Sequence, residues 1–233
     1  MRNHAHVLAQ PSTTAQPRIS VIIPSTGRKT LGRAIRTSRW ADEIVVVFDA
    51  EAPPFTPTGC VVLAAGPSRD WGGTQRNRGI AAATGTHLAF MDDNDTYTRE
   101  AGRLIRTAVA AQPDRVHVFS MRNRDKVYSG PVESGKISTQ MFVVPRDPVG
   151  RWTARYSGDL DFISETLRLR GDEPVFHAEI IAKIRPPTKT RVLEALVDPT
   201  IQRNVAGRVL GRGRHLLGRA AGRGGGSGSG SGE

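Results

Sequence analysis

The sequence contains one cysteine, few aromatic residues and no long apolar run, and each shortage narrows what the chain can be. Cys60 has no partner among the 233 residues, so an internal disulfide framework is excluded and a reducing compartment is expected. No stretch approaches the roughly 20 apolar residues of a spanning helix. Residues 1–18 mix His, Gln, Pro, Ser and Thr without the apolar segment of a secretory signal, and read as a disordered leader. The expected location is cytoplasmic, with peripheral attachment at the inner membrane face as the variant. The length suits one good core and leaves no room for a second catalytic domain.

Acidic residues are also in deficit, with 33 Lys and Arg against 22 Asp and Glu, a formal charge of +11. Residues 185–223 hold nine of the basic residues against only Glu194 and Asp198, which is +7 of that total. The remainder is therefore only mildly basic. Residues 186–221 read as a basic, partly helical extension, either a solvated arm or a contact for nucleic acid or an anionic membrane surface. Residues 222–233 are Gly and Ser repetition, a linker without a fold of its own.

Between these ends, strands and helices alternate. The β-branched run over 19–24 predicts a buried strand, and Leu31, Ala34, Ile35 and Ser38 fall at helical spacing over 28–40. A second buried strand over 43–49 ends on Asp49, completing a βαβ unit. Strands over 60–65 and 87–91, with helices over 72–84 and 98–112, continue the alternation. From residue 116 the pattern turns β-rich: strands over 116–121, 126–128 and 139–144, a helix over 159–170 and a strand over 174–184. The expected class is α/β, with ligands outside the carboxyl ends of the strands.

Three polar sets fall at such ends: residues 25–28, Asp49, and the run Asp92, Asp93, Asn94, Asp95. Three carboxylates within four residues repel one another unless a cation neutralises them, and hard oxygen donors suit Mg²⁺ or Mn²⁺ bridging to a diphosphate. Alternate residues can share a side, so Asp93 with Asp95 is one pair and Asp92 with Asn94 the other; Asp95 is the favoured direct ligand. The structural alternative is a polar loop capping the helix near Thr98.

In order along the chain, ISVIIPSTGR (19–28), EIVVVFD (43–49), RNRGI (76–80) and GTHLAFMDDND (85–95) together resemble the family 2 glycosyltransferases of GT-A fold. The similarity is clearest over 19–112 and continues more weakly to about 185. It implies a Rossmann-like, mixed but mainly parallel sheet flanked by helices, with a nucleotide-binding half (19–112) and an acceptor half (113–185). It further implies that Pro24, Thr26 and Arg28 line the pocket of a UDP- or GDP-sugar, that Asp49 contacts the base, and that Arg76 lies near the nucleotide or its phosphates. The acidic run stands where the family has its metal-binding DxD. Asn94 takes a position where an acid is usual, and Asp92 contacts the ribose in the alternative assignment.

Inverting transfer needs a base beside the acceptor hydroxyl. Asp159 matches the family's catalytic position, with Gly158 in place of the more usual Glu, so Asp161 stays as its rival. Both acids open a helix, where the dipole favours ionisation. His177 is a candidate metal or phosphate contact, although a lone strand histidine is more often structural. Residues 136–144, with Trp152 and Tyr156, are the candidate acceptor wall. Two other classes fit less well. A nucleotidyltransferase would use the same strand-end metal site, but PSTGRKT lacks P-loop spacing. A non-catalytic basic protein binding nucleic acid leaves the carboxylates at both places unexplained.

Overall fold

The computed structural model describes residues 16–184. The expected leader, apart from its last three residues, and the basic extension and Gly/Ser linker lie outside the described residues. Among the described residues no helix is long and apolar enough to cross a membrane.

The first strand, β1 (Ile19–Ser25), is buried along nearly its whole length, as its β-branched run requires of a strand covered on both faces. Helix α1 (Leu31–Thr37) buries Leu31, Ala34 and Ile35 and leads to β2 (Glu43–Phe48). Then follow β3 (Val61–Ala64), α2 (Gly73–Ala82) and β4 (His87–Phe90). These four strands are parallel in the order β3-β2-β1-β4, with every intervening connection long enough for a crossover.

The second half consists of β5 (Thr96–Tyr97), α3 (Ala101–Ala111), β6 (His117–Asn123), β7 (Lys126–Tyr128), β8 (Phe142–Pro145), α4 (Gly158–Arg170) and β9 (Val175–Ile184). The sheet continues β4-β8-β6-β9-β5, and β7 pairs with β6. Here the expected mainly parallel character ends. Only β6 and β9 are parallel, whereas β4–β8, β6–β8, β6–β7 and β5–β9 are antiparallel, so the whole sheet is evenly mixed. The reason is connectivity: the chain returns from β6 to β8 without a crossover helix, and only an antiparallel strand can be reached that way. The strand expected over 139–144 begins as a 3-10 turn at Thr139–Met141, and two-residue β5 is too short to show a period.

The two halves are joined by an aromatic cluster. Phe90 of β4, Phe142 of β8, Trp152 and Phe162 of α4 pack with centroids 4.7 Å apart for Trp152 and Phe162 and 5.2 Å for Phe90 and Phe162. This packing puts the start of α4 beside the end of β4. Trp152 is only 5% exposed, so it belongs to the core and not to an acceptor wall; Ile137 and residues 139–144 are likewise buried.

Helix α2 lies close against the sheet because of Gly79. A Cβ there would stand 2.5 Å from Ile22 Cγ2 and 3.4 Å from Val47 Cγ2. Gly79→Ala is therefore expected to destabilise the protein by about 1–3 kcal/mol through overpacking. The measurement is a lower urea midpoint at unchanged slope.

Candidate active site

Strands β1, β2 and β4 end side by side, and the segments leaving them surround an open cavity of about 270 Å³. Pro24, Thr26, Arg28, Asp49, Arg76 and Asp92, dispersed over nearly 70 positions of sequence, all line it, and so do Asp93 and Asn94. The opposite wall is the turn into α2.

Each carboxylate here has a protein partner. Asp93 is 4% exposed. Its Oδ2 accepts hydrogen bonds from the Ser25 hydroxyl at 2.9 Å and the Thr26 amide at 3.2 Å, and its Oδ1 faces Arg28 Nη1 at 3.4 Å. Burial nevertheless pushes its carboxyl above the usual value, outweighing Arg28 and both hydrogen bonds, while the nearby Asp92 charge acts in the same direction as burial. A raised pKa in the folded state favours the protonated form. Asp93 thus contributes stability at pH below the ordinary carboxylate pKa, and that contribution is lost as pH rises through its raised value. Asp93→Asn should then melt higher than the parent at neutral pH, with the gap closing on acidification; calorimetric scans across pH 4–7 test this.

Asp92 accepts from Arg76 Nη2 at 2.5 Å and from Gln140 Nε2 at 3.1 Å. Arg76, 5% exposed, also donates from Nη1 to the Trp71 carbonyl at 2.9 Å and lies 4.5 Å over the Trp152 ring. One buried guanidinium thus ties α2, the acidic run and the aromatic cluster together. Gln140 Nε2 donates as well to Asp95 Oδ2 at 2.6 Å, so its amide stands between two carboxylates. Asp95 is 2% exposed and turned toward Gln140, whereas Asp92 and Asn94 face the cavity.

Asp49 is held by the Ser68 amide at 2.8 Å and Gln75 Nε2 at 2.7 Å, both on Oδ1. Asp70 organises the turn into α2: it accepts from the Ser68 hydroxyl at 2.6 Å, the Gly72 amide at 3.2 Å, and the Thr74 amide and hydroxyl at 2.7 and 2.6 Å. Burial alone would raise its pKa, but these hydrogen bonds prevail and hold it low. Asn77 lies inside α2 and clasps the Trp152 backbone, donating to its carbonyl at 2.9 Å and accepting from its amide at 3.0 Å.

Ser157 occupies the cap position of α4, so Asp159 is the helix's second residue and not its cap. Burial raises the Asp159 pKa against the Leu160 amide and the Arg76 charge, with Asp92 adding to the rise. Burial therefore outweighs the helix-start effect expected to favour ionisation. Asp159 is not among the residues that line the cavity; the charges of Arg76 and Asp92 act on it from there. Asp161 is engaged elsewhere, by the Thr153 hydroxyl at 2.5 Å and Arg155 Nη1 at 3.7 Å. His177 is not among the cavity residues: on β9 its Nε2 is 3.0 Å from His117 Nδ1 and its ring stacks on Phe119 at 4.3 Å.

Gln75, Asp70 and Trp71 are not signalled in the sequence, and Gln140 falls there only within the 136–144 segment. Asp70 lies two residues before the cap position of α2, Gly72, and reaches the Thr74 amide from outside the usual capping spacing. Gln140 carries no signal of its own, because it meets Asp92 only through the pairing of β4 with β8.

A βαβ half with carboxylates at its strand ends, extended by a mostly antiparallel half, resembles the GT-A-like glycosyltransferase fold. The solved structures it resembles include those of Staphylococcus aureus TarS, a glycosyltransferase. Residues 1–349 of TarS superpose with a TM-score of 0.57 at 12% identity, over 72% of this chain and 60% of that one. The complex of the same piece with UDP-GlcNAc has a TM-score of 0.57 at 12% identity, over 73% of this chain and 59% of that one, and a further structure holds UDP. A longer TarS structure is matched over only 37% of its length, at 13% identity. This chain therefore spans about 60% or less of these relatives, and the likeness is one of fold. No protein-family model and no curated protein matches the sequence.

Proposed function

We propose that this protein is an inverting glycosyltransferase that binds a nucleotide sugar in the strand-end cavity and passes the sugar to an acceptor hydroxyl. The observation that carries this reading is convergence. All six residues assigned to the donor nucleotide by motif line one cavity, and Asp159 is electrostatically coupled to two of them. The UDP and UDP-GlcNAc complexes of TarS favour UDP as the nucleotide.

In this reading Asp49 holds the base, while Arg28 and Arg76 face the diphosphate. Asp159 accepts the acceptor hydroxyl's proton as the new C–O bond forms and the bond to the diphosphate breaks, on opposite faces of the sugar. Asp161, bound to Thr153 and Arg155, supports the start of α4.

The residues fit a divalent cation of the kind shared with substrate. Asp92 and Asn94 offer hard oxygens to the cavity, and among the described residues no three acidic, His or Cys side chains stand together as a complete site. Such a set suits Mg²⁺ or Mn²⁺, which commonly takes one or two protein ligands and completes its shell from phosphate and water. When bound, the ion would neutralise charge on the departing diphosphate. The proposal accordingly moves from Asp95 and His177, which do not line the cavity, and from Asp93, which lines it but is engaged by Ser25, Thr26 and Arg28, to Asp92 and Asn94.

The test is a screen of UDP- and GDP-sugars that follows release of nucleoside diphosphate with Mn²⁺ or Mg²⁺. Absence of both binding and hydrolysis for every donor would sink the transferase reading. EDTA should abolish release and Mn²⁺ restore it; full turnover in EDTA removes the ion and leaves the transferase. The stretch 185–223 is proposed to hold an anionic partner, DNA or an anionic vesicle. A chain ending at Arg185 that binds both equally well would remove it from the function.

A further inference from the structure

Most of the chain's aromatic side chains serve the core, Phe55 and Phe176 are half-exposed, and Trp71 and Tyr156 are the most exposed of all. Trp71 is 68% exposed and Tyr156 84% exposed, yet they meet edge to face with centroids 5.3 Å apart. They come from opposite sides of the site. Trp71 is on the cavity wall, in the turn before α2, and Tyr156 lies two residues before α4, three residues from Asp159.

The backbone beneath Trp71 is costly. Arg69 and Trp71 adopt φ of 53° and 59°, in the left-handed region that bulky residues avoid, and Gly72 follows at 84°. Such a conformation persists only where its surroundings impose it, and it points from strain to function. Here Asp70 imposes it through four hydrogen bonds to Ser68, Gly72 and Thr74, and Arg76 holds the Trp71 carbonyl. All these bonds go to backbone or neighbouring side chains. None uses the indole, which is left in solvent at the cavity mouth.

We propose that Trp71 and Tyr156 form a stacking platform for a pyranose ring of the acceptor, so that the acceptor class is a glycoside. A pyranose presents an apolar face of C–H bonds that suits an indole surface, and the phenol hydroxyl and the indole N–H can bond to ring hydroxyls. The site must present one hydroxyl between the donor cavity and the base. Trp71 lines the donor cavity, but Tyr156 does not and belongs to the segment that carries Asp159, so the pair sits where the donor cavity meets the acceptor side. The assignment to acceptor, though not the sugar affinity itself, rests on the transferase reading above.

The experiment is saturation-transfer NMR on the full chain with UDP present, using methyl β-glycosides of glucose, galactose and N-acetylglucosamine as probes. Saturation is expected on ring C–H protons of at least one glycoside. Tyr156→Ala and Trp71→Ala should each lower it fivefold or more, and Tyr156→Phe and Trp71→Phe should recover most of it. Calorimetric UDP binding should stay within twofold in Tyr156→Ala, with an unchanged melting temperature. The platform is overturned if the parent binds UDP while no glycoside shows saturation, or if the alanine variants keep it. Glycoside saturation that depends on both rings, without UDP binding, would leave the platform standing and defeat the nucleotide-sugar reading instead.

Discussion

Asp159→Asn is expected to lower glycosyl transfer by about 10²–10⁴-fold, the usual contribution of a positioned general base, with UDP binding little changed. Asparagine keeps the shape at the start of α4 and can still accept the Leu160 amide hydrogen bond, made at 2.8 Å, but cannot take a proton from the acceptor. Asp161→Asn should cost much less in rate, because Asp161 is occupied by Thr153 and Arg155. If the two variants lose rate equally, Asp159 is not the base. The pH profile gives a second check. Transfer requires ionised Asp159, and burial raises its pKa, so the rate should fall on acidification at a pH above the ordinary Asp value of about 3.9. Arg76 pulls that pKa down and Asp92 pushes it up. The acid limb should therefore move to higher pH when Arg76 is removed and to lower pH in Asp92→Asn. A limb that ignores both changes would mean that another group is titrating.

Arg76→Met is expected to have the largest combined effect on the protein. Its guanidinium is the hub of the site, bonded to Asp92 and the Trp71 carbonyl and stacked on Trp152. Methionine replaces part of the stem but leaves Asp92 with only the Gln140 amide and the Trp71 carbonyl without its donor. Breaking a buried ion pair by removing one member typically costs about 3–5 kcal/mol. Asp92 retains 37% side-chain exposure, so the low end, near ~3 kcal/mol, is expected in urea unfolding. Loss of one positioned cation at the diphosphate should reduce transfer by about 10²–10³-fold beyond the loss of folded protein. Arg76→Lys should not rescue it: an ammonium has no planar fork with which to bond Asp92 and the Trp71 carbonyl while stacking on an indole. Wild-type rates in either variant would remove Arg76 from the donor site.

These two residues illustrate what could be read in one dimension. Arg76 and Asp159 each stood in a recognisable segment, RNRGI and the acidic start of a helix, and each was named as a site residue. The choice of Asp159 over Asp161 needed more. Their spacing is compatible with either role; Asp161 is engaged by Thr153 and Arg155, whereas Asp159 bonds the Leu160 amide and feels the charges of Arg76 and Asp92. The same holds for the acidic run, where a four-residue stretch cannot say which side chains face a cavity. Gln140, from a 3-10 turn 45 residues away, is what bonds Asp95 Oδ2. Trp152 and Tyr156 looked alike in sequence, yet one is in the core and the other in solvent.

By itself the sequence determined the alternation of buried strands and helices in the first half, because periodic burial is written residue by residue. It also placed the carboxylates where β2 and β4 end, since a strand's end is a local event. The tertiary structure alone decided the mostly antiparallel second half, the partners of each carboxylate and the left-handed turn that lifts Trp71 into solvent. Those depend on which distant segments become neighbours, and burial and hydrogen bonding between them are set by the packed sheet, not by spacing along the chain.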